Sequence, residues 1–208
     1  MKNKVNYQEQ LDALIEANRL SGTTPSLFLH VCCAPCSSYV LEYLSQYFRI
    51  TVFYYNPNIF PKEEYLKRKA ELTRLISEMP FKNTVSIVDC DYNSDDFYNC
   101  VKGYEHCTEG GERCFRCYDL RLRQTALKAA ECKADYFAST LSISPLKNVE
   151  KLNEIGGRLA VEYGVQWLPN DFKKKEGFKR SIELSQRYQL YRQDYCGCVF
   201  SKQKKVSD

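Results

Sequence analysis

The chain has 208 residues, of which 44% are hydrophobic, and this length and composition predict one domain with one sizeable core. Lysine and arginine outnumber aspartate and glutamate by 30 to 26, and the net charge of +4 permits a nucleic-acid partner without requiring one. The longest apolar run, at residues 27–31, is too short to span a membrane. Residues 1–19 contain acidic side chains, unlike the apolar core of a secretory signal, so we expect a cytoplasmic protein.

Apolar patterning predicts alternating helices and strands along the chain. Helices are expected at residues 5–19, 39–47, 61–79, 117–131 and 149–163. Strands are expected at residues 27–31, 50–55, 85–88, 135–138 and 165–168. A further helix after Ser181 is indicated by the spacing of Leu184, Tyr188, Tyr191 and Tyr195.

The predicted strands are short and apolar on both faces, as strands buried in a parallel sheet are. Their alternation with helices predicts an α/β fold with a doubly wound, mostly parallel sheet, whose ligands bind at the carboxyl ends of the strands. Residues 21–25 have the composition of a linker. We therefore divide the chain into an N-terminal helical extension with its linker, residues 1–25, and a single α/β domain, residues 26–208, which ends in a basic and Cys-x-Cys segment.

Eleven cysteines and only two histidines distinguish this composition. Because the cytosol keeps ordinary thiols reduced, metal binding or redox chemistry is favoured over a disulfide framework. His30 and His106 lack the paired spacing of a zinc or facial-triad site. The chemistry is therefore expected to depend on thiolates.

The first cysteine cluster, Cys32, Cys33 and Cys36, follows the first predicted strand at its turn into a helix, which opens at Ala34 with Pro35 in a favourable first-turn position. Isolated buried cysteines usually behave as small hydrophobic residues. Three cysteines within five residues at a ligand-binding edge favour metal ligation instead.

The second cluster is Cys114 and Cys117, a C-x-x-C motif at the start of a helical pattern. Alone it fits half of a zinc knuckle or a thioredoxin-like pair, although the polar segment before it disfavours the latter. A helix start flanked by Arg113 and Arg116 is expected to lower the pKa of both thiols. Four thiolates would complete a cluster site: Cys32, Cys33, Cys114 and Cys117.

The third cluster, Cys196-Gly197-Cys198, fits either a shared metal or a small disulfide ring. Such a ring is strained, which suits a two-electron redox role, whereas the alternative is a second zinc half-site. The other four cysteines are interpreted as packing residues: Cys90, Cys100, Cys107 and Cys132.

A basic segment at residues 171–180 precedes the third cluster. Charge runs are usually solvated surface, but interleaved glycine and phenylalanine favour phosphate and base contacts here. The basic residues proposed for these contacts are Lys173, Lys174, Lys175 and Arg180, and Arg187 and Arg192 are further candidates for facing RNA.

Together these motifs resemble the QueH family of epoxyqueuosine reductases over about residues 26–201. The matching stretches are residues 30–36, 113–118, 140–145, 171–175, 180–185 and 191–198. The N-terminal helix and the last few residues lie outside the match and are interpreted as a species-specific addition.

The resemblance implies a fold similar to the adenine nucleotide α-hydrolases (HUP-like) and reduction of epoxyqueuosine to queuosine in tRNA. It also implies a [4Fe-4S] cluster bound by Cys32, Cys33, Cys114 and Cys117, with a redox-active disulfide between Cys196 and Cys198. The implied partners are the tRNA anticodon loop and an external electron donor. In the family a carboxylate can occupy the position of Cys36, so a second iron ion at this residue is a further hypothesis.

Two other functions compete with this interpretation. An iron-sulfur tRNA sulfurtransferase of related fold would need a glycine- and serine-rich phosphate loop after the first strand, where residues 32–36 stand instead. A non-catalytic zinc and RNA-binding module would lack the visible absorption and acid-labile sulfide of an iron-sulfur protein.

Overall fold

A computed structural model describes residues 5–202 and contains one five-stranded, all-parallel sheet. The strands are β1 (Ser26–His30), β2 (Arg49–Phe53), β3 (Val85–Val88), β4 (Tyr136–Ser139) and β5 (Gln166–Trp167). The helices are α1 (Tyr7–Leu20), α2 (Ala34–Leu44), α3 (Lys62–Glu78), α4 (Ser94–Val101), α5 (Glu112–Glu131), α6 (Val149–Tyr163), α7 (Gly177–Arg187) and α8 (Val199–Lys202). A 3-10 helix, Thr140–Ile143, follows β4 directly.

The strand order β3-β2-β1-β4-β5 makes β1 the central strand, and Leu29 pairs with Val52 on one side and Ala138 on the other. Successive residues of a strand face opposite sides of the sheet. Leu29 accordingly belongs to the larger hydrophobic core, whereas Phe28 belongs to the core on the other face. The predicted doubly wound parallel sheet is confirmed.

Helix α1 contributes Leu11 and Ile15 to the larger core. Asn6 caps its first turn by accepting a hydrogen bond from the backbone N–H of Glu9. On its polar side, Asp12 accepts a hydrogen bond from Tyr43 of α2 at 3.1 Å. The described part of the N-terminal extension is thus packed against the α/β sheet and its helices.

Helix α2 begins at Ala34, as the predicted turn from the first strand into a helix requires, with Pro35 in its first turn and Cys33 before it in extended conformation. The structure differs from the prediction in two places. Helix α4 was not predicted. The helix after Ser181 ends at Arg187, and Gln189 has a positive φ of 49°.

The hypothesis that Tyr191 and Tyr195 continue that helix is therefore wrong. Tyr191 instead donates its hydroxyl to Glu64 on α3 at 3.1 Å. Across residues 5–202, no helix combines the length and apolarity needed to cross a membrane.

Candidate metal and redox site

The first cysteine cluster lies where β1 passes into α2, at the predicted carboxyl edge of the sheet. Cys32 and Cys33 follow β1, and Cys36 lies in the first turn of α2. The three Sγ atoms all lie within 4.8 Å of one another, and those of Cys32 and Cys33 are 3.9 Å apart. This arrangement places three soft ligand atoms within reach of one metal ion.

Hydrogen bonding divides the three thiols into one favoured thiolate and two thiols. The Cys33 and Cys36 thiols and the nearby Arg121 guanidinium hold the pKa of Cys32 well below its usual value. The same interaction with Cys32 raises the pKa of Cys33 and of Cys36. Among the three sulfurs, negative charge is therefore favoured on Cys32.

The second and third cysteine clusters face each other across a small cavity of about 20 Å³. Cys114 and Cys117, near the start of α5, line it together with Cys196 and Cys198. The backbone N–H of Gly110 donates to Cys114 Sγ at 3.3 Å. The structure thus brings the C-x-x-C and C-x-C motifs together.

The expectation that the helix start lowers the pKa of both C-x-x-C thiols is wrong. Burial raises the pKa of Cys114, and it raises that of Cys117 to about 12. The physical reason is that loss of hydration disfavours a thiolate more than the nearby hydrogen bonds and positive charges favour it.

The C-x-C segment is held against α3 and the loop before it. Gly197 has a φ of +111°, and an added Cβ would lie 3.0 Å from Arg68 Nη1. Arg68 Nη1 donates to the Cys196 carbonyl at 3.3 Å, and the Phe60 N–H donates to the Gly197 carbonyl at 2.9 Å. Glycine therefore permits both the backbone conformation and the close approach. Both cysteines are free thiols.

An open cleft of about 370 Å³ adjoins the small cavity. Its sulfur-containing lining residues are Cys32, Cys33, Cys36 and Cys196. Its outer wall includes the exposed apolar side chains of Leu146 and Phe178. Arg121, Lys147 and Cys196 line both spaces, so the three cysteine clusters meet at one edge of the sheet.

The four cysteines predicted to bind a cluster divide between these two spaces. Cys32 and Cys33 face the cleft, whereas Cys114 and Cys117 line the cavity beside it. Among the described residues, the group with ligand atoms mutually within 4.8 Å is Cys32, Cys33 and Cys36. Sulfur atoms that bind one metal ion must lie this close to one another. Thiolates that bind different iron atoms of a [4Fe-4S] cluster lie further apart, because the cluster stands between them.

Buried cations surround the cysteines, and the sequence analysis missed them. Arg121 is 1% exposed; its Nη2 donates to Asn56 Oδ1 at 2.6 Å and its Nε donates to His30 Nε2 at 3.2 Å. Burial, with the charge of Arg121, lowers the pKa of His30 to about 3, so the imidazole is neutral. Despite burial, among the described residues the charges of Cys117, Cys32 and Cys196 raise the pKa of Arg121.

Arg68 and Lys147 are two further buried cations, and Arg113, which is 3% exposed, also lines the small cavity. Arg68 pairs with Glu64 at 2.7 Å, and Lys147 lies 3.3 Å from Cys196 Sγ. One signal could have revealed Arg121: it follows Cys117 by one helical turn on the apolar face of α5.

Three of the predicted RNA-binding residues pair with carboxylates. Lys173 pairs with Asp171 at 2.9 Å, Lys175 with Asp12 at 2.6 Å, and Arg180 with Glu42 at 2.7 Å. Lys174 is exposed. Arg192 donates to Ser185 Oγ at 2.9 Å and lines the cleft.

Comparison with known proteins gives one consistent result. The family model described as "Epoxyqueuosine reductase QueH" matches residues 27–204. A protein of that name from Streptococcus pyogenes serotype M1 is 43% identical over 207 residues, covering 99% of this chain and 81% of the relative. Its namesake from Staphylococcus epidermidis is 41% identical over 213 residues, covering 100% of this chain and 90% of the relative.

A more distant namesake from Thermotoga maritima is 33% identical over 182 residues, covering 85% of this chain and 90% of the relative. The alignments with the streptococcal and staphylococcal relatives include the N-terminal helix. The interpretation of that helix as a species-specific addition is therefore wrong.

Proposed function

The chain belongs to the QueH family of epoxyqueuosine reductases, and from this premise we propose how its residues perform the reaction. The protein is an oxidoreductase that converts epoxyqueuosine to queuosine in tRNA. Opening the epoxide and removing its oxygen as water requires two electrons and two protons. The observation that carries the proposal is the convergence of three cysteine clusters beside one open cleft.

The proposed cofactor is a [4Fe-4S] cluster bound by Cys32, Cys33, Cys114 and Cys117. The donor set fits this group, because it combines thiols with the buried cations Arg121 and Lys147, whose charge would balance an anionic cluster. When bound, the cluster would supply one-electron transfer within reach of the cleft. Hydrogen bonds to Asn56 and His30 hold the Arg121 guanidinium in position, so its charge is preorganised.

Cys36 is the proposed contact for an additional iron ion. Its sulfur lies within 4.8 Å of the sulfurs of Cys32 and Cys33 and lines the open cleft. A metal there would act as a Lewis acid toward an oxygen atom of the substrate.

Cys196 and Cys198 are proposed as a redox-active pair. When the two thiols close into a disulfide they release two electrons and two protons, the number that epoxide removal consumes. An external electron donor would then restore the dithiol. Because the pair lies beside the C-x-x-C motif, electrons would travel only a short distance within the protein.

The proposed binding partner is the anticodon loop of tRNA in the cytoplasm. A modified base must leave its stack to reach the cysteines, and the cleft offers aromatic Phe178 and Tyr195 with cationic Arg192 at its wall. Lys174 is an exposed candidate for a phosphate contact outside the cleft.

Anaerobic purification tests the cofactor directly. Broad visible absorption, iron and acid-labile sulfide are expected, and a colourless zinc protein would support the RNA-binding alternative. Cys196→Ser and Cys198→Ser should keep the absorption spectrum but lose multiple-turnover conversion of epoxyqueuosine in tRNA, measured by nucleoside mass spectrometry. Loss of the spectrum in both variants would identify the pair as ligands and contradict the redox role.

A further inference from the structure

We propose that Cys196 is the thiol that exchanges with the external electron donor, that Lys147 positions and stabilises it, and that Cys198 is the internal partner. This inference rests on the proposed redox pair and adds an order to its two thiols. Three features support it: the different exposure of the two sulfurs, the ammonium beside one of them, and the fixed backbone that carries that ammonium.

The two cysteines differ in what can reach them. Cys196 is half-buried and lines the open cleft as well as the small cavity. Cys198 is 8% exposed and lines the small cavity but not the cleft. It packs against Phe97 and Cys117. Its Sγ contacts Ser201 Oγ at 3.5 Å. A thiol arriving through the cleft therefore meets Cys196 first.

Lys147 supplies a charge to one sulfur of the pair. Its Nζ lies 3.3 Å from Cys196 Sγ, and its side chain is only 7% exposed. The carboxylate of Glu109 is more distant, at 3.5 Å from the same Nζ. A buried ammonium group attracts a nearby thiolate more strongly than a solvated ammonium group does, because water screens the charge less. Lys147 therefore stabilises negative charge on Cys196 whenever its S–S bond breaks.

The backbone that carries Lys147 is held on both sides, and its side chain is buried. The Lys147 N–H donates to the Ser144 carbonyl at 3.1 Å, and Asn148 caps the start of α6 through its side chain. The loop is thus tied to the 3-10 helix before it and to α6 after it. Little conformational freedom has to be lost when the charge is needed.

The exchange balances as follows. A donor thiolate attacks Cys196 Sγ, a donor–Cys196 disulfide forms, the Cys196–Cys198 bond breaks, and Cys198 leaves and takes up a proton. A second donor thiol then attacks the donor sulfur, and Cys196 leaves as a thiolate beside Lys147 and takes up the second proton. Two donor thiols become a disulfide, and two electrons enter the enzyme. Stabilising the leaving thiolate accelerates this second step.

Glutathione disulfide is the probe for the order of the two thiols. Reduced, anaerobically reconstituted Cys198→Ser enzyme should form a mixed disulfide at Cys196, followed by peptide mass mapping over time. Cys196→Ser enzyme should form the corresponding adduct at Cys198 at least about tenfold more slowly. Equal rates, or a faster adduct at Cys198, would overturn the order.

The role of Lys147 is tested in the Cys198→Ser background. Lys147→Met should slow adduct formation at Cys196 by about tenfold, as expected for loss of one charge-assisted contact, whereas Lys147→Arg should retain most of the rate. Lys151→Met is the matched control, because that lysine pairs with Glu154 on the surface of α6. An unchanged rate in Lys147→Met would overturn its role.

Mild oxidation of the wild-type enzyme separates this inference from the proposal beneath it. If no Cys196–Cys198 disulfide is mapped, the redox pair itself is refuted. If the disulfide forms but glutathione attaches preferentially to Cys198, the redox pair stands and the order of its thiols is refuted.

Discussion

Arg121 Nε lies 3.2 Å from His30 Nε2, so a permanently charged guanidinium is held by a neutral imidazole in the protein interior. The neutral state of His30 follows from its pKa of about 3. Arg121 consequently keeps its charge available for the sulfur atoms around it.

Removing that charge should make the proposed cluster harder to reduce. In Arg121→Gln, the midpoint potential should fall by on the order of 60 mV, because a buried positive charge favours the more negative, reduced state. Anaerobic spectroelectrochemical titration measures the shift. Arg123→Gln, at a partly exposed pair with Asp119 on the same helix, is the control. A potential equal to that of wild type would remove Arg121 from the proposed electrostatics.

Loss of either C-x-x-C thiol should abolish cluster binding. Cys114→Ala and Cys117→Ala should each lose the visible absorption and more than half of the iron after anaerobic reconstitution, since each removes one of four proposed ligands. Cys132→Ala should retain the wild-type iron content, because Cys132 is exposed at the end of α5. A full cluster in either α5 variant would exclude that residue from the ligand set.

Within the basic segment, we expect Lys174 to contact RNA and Arg180 to stabilise the fold. Lys174→Gln should weaken tRNA binding and reduce the slope of log affinity against log salt by about 0.7 to 0.9, the loss of one phosphate contact. Arg180→Gln should leave this slope unchanged and lower the free energy of unfolding by about 0.5 kcal/mol, because it removes a partly exposed pair with Glu42. Binding isotherms at several salt concentrations and urea unfolding distinguish the two; identical slopes for Lys174→Gln and wild type would contradict the assignment.

The apolar cleft wall should contribute to substrate binding rather than to cofactor retention. Phe178→Ala should raise KM for epoxyqueuosine-containing tRNA about tenfold, because base–aromatic stacking contributes about 1–3 kcal/mol. Phe178→Tyr should preserve KM. Val161→Ala is the control, since Val161 is an exposed apolar residue on α6. Iron content should match wild type in all three, and an unchanged KM in Phe178→Ala would refute the stacking role.

The sheet was predictable because its strands are continuous apolar runs, and the residues of β1 alternate between two cores as such runs require. The position of the first cysteine cluster was predictable for the same reason. Once β1 is recognised, the cysteines that follow it must lie at the carboxyl end of that strand. The end of α7 was not predictable from spacing. Tyr191 and Tyr195 continue the helical spacing of the apolar residues in α7. The chain nevertheless leaves the helix and turns at Gln189, where φ is positive.

The electrostatics of the site were the least predictable part. Local sequence around Cys117 suggested an acidic thiol, but the pKa depends on how completely the folded chain removes water from it. The spacing of Arg121 from Cys117 places it on the apolar face of α5, but it does not indicate which residues hold its charge. Its partners Asn56 and His30 come from distant parts of the chain, and only the folded sheet brings them together.

The distribution of the three cysteine clusters along the chain fixes the order in which the ribosome synthesises them. Cys32 is synthesised before Cys114, and Cys196 comes after both and after every strand of the sheet. Until the C-x-C segment docks, with Gly197 against Arg68, the wall that Cys196 provides for the cleft is missing. A nascent chain can thus complete the synthesis of its sheet before it contains Cys196, the proposed exchange thiol.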